Sequence, residues 1–220
     1  MIWQSLQLSI LVVTVATAIV GVLGLTFAYL LAKSQFWGKE LIDAVLTVPL
    51  VLPPTVTGYY LIVLLGRRGL IGGALYDMTG WSFSFTWQGA VVAAAVVSLP
   101  LMIKASRAAI ESVDTRFEIA SYSLGKGKFE TFFRIVLPLA KRGVLAGLVL
   151  SFARALGEFG ATLMIAGNIP GQTQTMPLAI YEAVASGEDS NARIIALLLT
   201  AVSITAVYLT NRLSRSRLYG

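Results

Sequence analysis

The chain contains no cysteine and no histidine. Disulfides, thiolate chemistry and the commonest metal ligands are therefore excluded. Carboxylates alone could hold a hard cation, but no acidic cluster appears, so no catalytic residue and no metal ligand is assigned. Charge is scarce as well. Only 13% of residues are Asp, Glu, Lys or Arg, against about 25% in an ordinary soluble domain. Apolar residues fill the gap, at 56% of the chain with a mean hydropathy of +0.78. One small water-soluble core cannot hide that much apolar surface, so the bilayer is the solvent for much of it.

No charge occurs before Lys33. The basic n-region of a secretory signal is thus missing, and the apolar run outlasts an h-region. Residues 1–32 read as a retained transmembrane helix. Five apolar segments follow one another at 6–31, 41–65, 87–103, 144–166 and 192–209. A spanning helix takes about 20 residues, so the third is at the short end. The second holds Pro49, Pro53 and Pro54, which predict a kink or an interruption. No repeat or low-complexity stretch occurs. Residues 1–220 read as a single all-α integral membrane domain of about five spans.

The formal charge of +6 and pI near 9.7 come from residues whose placement argues against nucleic acid and for orientation. With loop 104–142 in the cytoplasm, that side carries Lys33, Lys39, Lys104, Arg107, Arg116, Lys126, Lys128, Arg134, Lys141, Arg142, Arg212, Arg215 and Arg217. The outside carries only Arg67, Arg68 and Arg193. The positive-inside rule then puts the N-terminus outside and the C-terminus in the cytoplasm. Residues 81–87 alternate aromatic and polar, which fits an aromatic belt at the outer interface better than a strand. Within 167–193, Met176, Ala179, Ile180 and Val184 have helical spacing behind Pro177. A short interfacial helix on the outer side is predicted there.

Loop 104–142 is too charged to span and too patterned to be a linker. Ile110, Val113, Phe117, Ala120 and Leu124 predict one helix over 107–124 with a single apolar stripe. Gly125 supplies its C-cap. A second helix is predicted over 128–136, ended by Pro138. The pair forms a rigid cytoplasmic knob. From Gly125 onward the loop resembles the cytoplasmic "EAA" loop of ABC importer permeases: glycine, nine residues, then Ile135-Val136-Leu137-Pro138. The triad position falls on Ile119-Ala120-Ser121, with Glu118 one place early. The resemblance implies a type I ABC importer permease fold. It also implies that Glu118, Ala120, Ser121, Leu124, Gly125, Lys126, Ile135, Leu137 and Pro138 belong to the surface that docks on an ATPase. The chain has no G-x-x-x-x-G-K-[ST] phosphate loop. ATP-Mg therefore belongs on a separate subunit, and no cofactor is expected on this chain.

The stretch from Phe152-Ala153-Arg154-Ala155-Leu156-Gly157-Glu158-Phe159-Gly160 through Asn168-Ile169-Pro170-Gly171-Gln172-Thr173-Gln174-Thr175-Met176-Pro177 to Tyr181 resembles the molybdate permease family. Sulfate permeases are similar over its first part only. The resemblance implies a permease that moves molybdate, or tungstate, across the inner membrane. Its implied partners are a second copy of itself, two ATP-binding cassette subunits, an external oxyanion-binding protein and membrane lipid. A sulfate or thiosulfate permease is the alternative, and a secondary anion transporter is a more distant one.

Read from its residues, the same stretch offers several roles. Arg154 and Glu158 are spaced to pair across one helical turn, since an isolated charge in a span costs about 2.5–3.5 kcal/mol on insertion scales. They either neutralise each other, border the anion path or contact another subunit. Gly143, Gly147, Ser151, Ala153, Ala155, Gly157, Gly160 and Ala161 allow close helix approach, within the subunit or between two. Arg154, Gly157, Glu158, Gly160 and Thr162 are the path candidates. Asn168, Thr173, Gln174 and Thr175 are neutral donors for an outer mouth, or else parts of a solvated loop that meets the binding protein.

Overall fold

The computed structural model describes residues 2–215, and of 209–215 the backbone alone. Arg217 lies outside the described residues. The described chain is helical throughout: α1 (Ile2–Lys33), α2 (Lys39–Val51), α3 (Pro54–Leu65), α4 (Gly72–Thr79), α5 (Trp87–Glu111), α6 (Thr115–Ser123), α7 (Lys128–Thr131), a π-helical turn (Phe132–Val136), α8 (Leu137–Leu156), α9 (Gly160–Ala166), α10 (Met176–Ala185) and α11 (Asp189–Arg215). Four described helical stretches are long and apolar enough to cross a membrane, namely α1, α5, Lys128–Leu156 and α11. The α2–α3 pair, bent by 119°, makes a fifth if it is one span.

Helices α1, α8, α9 and α2 pack around α5. Thr86 caps its start by accepting from the Gly89 backbone N–H at 3.2 Å, which satisfies an orphan donor of the first turn. Small residues dominate its buried faces, including Ala90, Ala93, Ala94 and Ser98. That lets α1 and α8 approach closely from two sides. On α1, Val12, Val13, Ala16, Val20, Gly24 and Ala28 are buried at helical spacing. Gly24 is required there, because a Cβ would come within 2.5 Å of Met102 Cγ. On α8, Gly143 and Gly147 lie over Ala109 and Ala105, and Ser151 Oγ donates to the Ser98 carbonyl at 3.2 Å.

Two spans are broken, and the breaks face each other. Leu52 and Pro53 each precede a proline and take extended backbone, ψ 144° and 137°, because the following ring disfavours the helical region. That is the interruption predicted from Pro53 and Pro54. The two halves serve opposite ends of α5. Asp43 of α2 pairs with Lys104 and Arg107, whereas α3 packs on α9, which touches the start of α5 through Phe85 N–H to the Ile165 carbonyl at 3.0 Å. The fourth span, expected to be continuous over 144–166, breaks at 157–159. A Cβ on Gly160 would lie 3.0 Å from Pro54 Cβ and 3.3 Å from Thr55 N. The glycine thus lets the start of α9 rest on the start of α3.

Several sequence expectations need correction. The helix predicted over 107–124 is two, because α5 runs on to Glu111 and Asp114 starts α6 by accepting from the Arg116 N–H at 2.9 Å. The apolar stripe divides accordingly: Ile110 and Val113 are buried, while Phe117, Ala120 and Leu124 are exposed. Pro138 does not end a helix. It lies within the continuous stretch Lys128–Leu156, and the π turn just before it, closed by the Leu137 N–H to the Phe132 carbonyl, lets the helix continue around the ring. Residues 81–87 form no strand, as expected, but their aromatics divide: Trp81 and Phe85 are exposed while Phe83 and Trp87 pack inward. On α10, Met176, Leu178, Ala179 and Ala183 are buried while Val184 is exposed. This helix is wedged against α1 and α11.

Candidate functional site

The cytoplasmic knob is built by local rules. Helix α6 ends in a Schellman motif: Lys126 N–H donates to the Ser121 carbonyl at 3.1 Å and Gly125 N–H to Tyr122 at 2.9 Å. The motif needs a left-handed residue after the cap, and Gly125 has φ 77°. Glu118 and Ser121 turn inward. Ser121 and Thr131 hydroxyls meet at 2.8 Å, joining α6 to α7. Lys33 at the end of α1 holds Glu118 at 2.5 Å. Glu130 pairs with Lys126 and Arg134, each at 2.9 Å. Its carboxyl is held below the usual range, first by the Lys126 hydrogen bond and then by the charges of Lys126 and Arg134.

Beside these pairs, several apolar side chains of the knob are left outside. Leu124 is 79% exposed, Phe129 78% and Ile119 62%. Exposed apolar groups on a polar-rimmed projection are the pattern expected of an interaction surface, which makes this face the candidate site. Of the sequence-predicted loop residues, Ala120, Leu124, Gly125 and Lys126 lie on that surface. Glu118 and Ser121 support it from beneath. Leu137 and Pro138 lie at the root of α8, and Ile135 in the π turn before it.

The path candidates do not share one surface. Gly157 is exposed and Arg154 half-buried, whereas Glu158, Gly160 and Thr162 are buried within the subunit. Glu158 lies past the last turn of α8. Its Oε1 accepts from the Ala161 N–H at 2.8 Å and so caps α9. Its Oε2 lies 2.8 Å from Arg154 Nη1. That contact is an ion pair without good hydrogen-bond alignment, since Oε2 has no hydrogen-bond partner. Most of the small residues on this span serve packing within the chain: Gly143, Gly147, Ser151, Gly160 and Ala161 all face α5 or α3.

The outer-mouth candidates turn into the chain's own fold. Thr173, Gln174 and Thr175 are buried and Asn168 is half-buried, so they are not a solvated loop. Thr173 Oγ1 accepts from the Ile169 N–H at 3.0 Å. Asn168 Nδ2 and Gln174 Nε2 both donate to Glu182 Oε2. Thr175 Oγ1 is buried without a hydrogen-bond partner. Lys33 and Ser9 are contact residues that sequence reasoning missed. They lie 85 and 167 residues from Glu118 and Met176, and no local signal pairs them.

These features agree with what the chain resembles. Residues 5–218 match the model of the family described as binding-protein-dependent transport system inner membrane component. The chain is 48% identical to the molybdenum transport system permease protein ModB of Escherichia coli K12, over 98% of this chain and 96% of that protein. It is 34% identical to the sulfate transport system permease protein CysW of Synechococcus elongatus, over 94% of this chain and 72% of that one. Among solved structures, the inward-facing MetNI methionine ABC transporter superposes with a TM-score of 0.71 at 15% identity, covering 98% of this chain and 93% of that one. At that identity the likeness concerns the fold. A match to the family model over residues 5–218, together with the near-full-length similarity to a curated permease, places this chain among the binding-protein-dependent transport system inner membrane components.

Proposed function

We propose that this chain is the permease subunit of an importer for molybdate, or for tungstate, a tetrahedral dianion of nearly the same size. The observation that carries the substrate is the near-full-length similarity to a molybdenum permease, which exceeds that to a sulfate permease. Two copies form the pathway. Two ATP-binding cassette subunits dock at Leu124, Gly125 and Lys126 and carry the ATP-Mg, and an external binding protein delivers the anion. The N-terminus faces outside, as the distribution of Lys and Arg requires.

Specificity for an oxyanion takes several positioned donors that pair its oxygens. Asn168 Nδ2 and Gln174 Nε2 donate to Glu182, and the Thr173 hydroxyl accepts from the Ile169 N–H, so all three are tied into the chain's own fold. Arg154 is partnered by Glu158, which weakens its hold on a dianion. The permease therefore passes the ion and the binding protein selects it. The test is co-purification of the chain with an ATPase and a binding protein, followed by ATP hydrolysis in proteoliposomes. Stimulation by molybdate and tungstate above sulfate supports the reading. Equal or greater stimulation by sulfate assigns the chain to the sulfate class instead.

A further inference from the structure

Helix α1 is tied by a buried hydrogen bond near its start and a part-buried ion pair at its end, and the two contacts serve opposite faces of the molecule. Near its start, Ser9 Oγ accepts from the Met176 backbone N–H at 2.8 Å. Ser9 and Met176 are both buried. This bond takes the place of a side-chain cap on α10, which its own N-cap residue Thr175 does not supply. At its other end, Lys33 Nζ lies 2.5 Å from Glu118 Oε1, beneath α6 of the knob. One turn earlier, the Tyr29 ring packs on Phe132 of the π turn, with centroids 4.4 Å apart. Ala28, Phe132 and Val136 share one buried cluster around these rings.

Between the two ties runs unbroken helix. Helix α1 has 32 residues and no proline, whereas the α2–α3 and α8–α9 spans are both interrupted. Ser9 and Lys33 are separated by about 36 Å at 1.5 Å rise per residue. A helix of this kind moves as a unit, so a displacement of α10 that keeps the Ser9 bond reaches Glu118 through the same rod. Glu118 is nearly enclosed, and an unpaired carboxylate there would be costly. The knob is therefore bound to follow Lys33.

We propose that α1 is the rod connecting the outer segment around α10 to the cytoplasmic knob, with Ser9 and Lys33 as positioning residues at its two ends. The proposal rests on the importer reading above, with the ATPase at the knob, and adds that the segment around α10, on the side from which the binding protein delivers the anion, is the part that meets it. A helix that only filled space between α5 and α8 would need neither polar tie.

The test uses the whole complex in proteoliposomes: permease, ATPase and binding protein. Two quantities are read, the basal ATPase rate and its stimulation by molybdate-loaded binding protein. Lys33→Met and Ser9→Ala are expected to keep basal hydrolysis and assembly. Each should lose stimulation by about fivefold or more, the lower range of coupling between sites. The double variant should lose no more than the worse single one, because both act on one connection. The exchange Lys33→Glu with Glu118→Lys should restore stimulation, and it carries the test if Lys33→Met fails to assemble. Full stimulation in Lys33→Met, multiplied losses in the double variant, or an assembled but unstimulated exchange overturns the proposal. A wild-type complex that molybdate-loaded binding protein does not stimulate overturns the importer reading and this inference with it.

Discussion

Arg154 Nη1 lies 2.8 Å from Glu158 Oε2 across the end of α8. The carboxylate is almost fully enclosed and its other oxygen caps α9. The pair thus joins two helical segments where the span breaks. Without the cation, a buried charge would remain at the break. Loss of one member of a buried pair costs about 3–5 kcal/mol, whereas replacing both can be nearly neutral.

Arg154→Gln should therefore lower the thermal unfolding midpoint in detergent more than Arg154→Gln with Glu158→Gln does. The double variant keeps an acceptor for the Ala161 N–H and removes the unpaired charge. Equal midpoints for the two variants would show that Glu158 draws no stability from Arg154.

Gly125 has φ 77° with open space around its Cα, so the constraint is conformational and not steric. A side chain in this region costs about 1–2 kcal/mol, and proline cannot adopt it. Gly125→Pro should leave membrane insertion intact and abolish ATPase-coupled transport, while Gly125→Asn should retain most of it. Normal transport by the proline variant would remove the turn from the docking surface.

Gly143 faces Ala109 so closely that a Cβ would come within 2.4 Å of the Ala109 Cβ. Overpacking of this kind costs about 1–3 kcal/mol. Gly143→Ala should lower the midpoint, and adding Ala109→Gly should recover most of the loss, since the second change vacates the contested space. A midpoint unchanged by Gly143→Ala would mean that α8 stands farther from α5 than described.

Glu130 titrates below the usual glutamate range because Lys126 and Arg134 favour its charged form. A depressed folded-state value contributes order above the ordinary carboxylate range and loses it as pH falls through the lowered value. Amide protection over residues 127–131, corrected for intrinsic exchange, should hold at neutral pH and fall below about pH 4. Glu130→Gln should show the wild type's acid-form protection at every pH, so that the two profiles converge at low pH. A wild-type profile flat with pH would show that the pairs with Lys126 and Arg134 contribute nothing to the knob.

Much of the architecture is local and therefore readable in one dimension. Spans follow from the length of apolar runs. The break at Pro53 follows from the geometry that proline imposes on its predecessor, and the end of α6 follows from Gly125, whose left-handed backbone closes the helix. Each of these depends on residues a few positions apart. The break at 157–159 was not legible in the same way, because Gly157 and Phe159 are tolerated inside helices. It is held open by Glu158, whose role as a cap is visible only when Ala161 is beside it.

What the sequence by itself determined is an all-helical membrane subunit with a polar projection between its third and fourth spans, because hydropathy and turn chemistry act over short distances. Tertiary structure alone decided which faces those elements spend on each other. It turned Gly143, Gly147 and Gly160 inward to the chain's own helices. It buried Thr173 and Gln174, which looked like free donors, and set Lys33 against Glu118 and Ser9 against Met176. Those pairings depend on how α1, α5 and α8 approach, and close approach is a property of three packed surfaces that no single segment encodes.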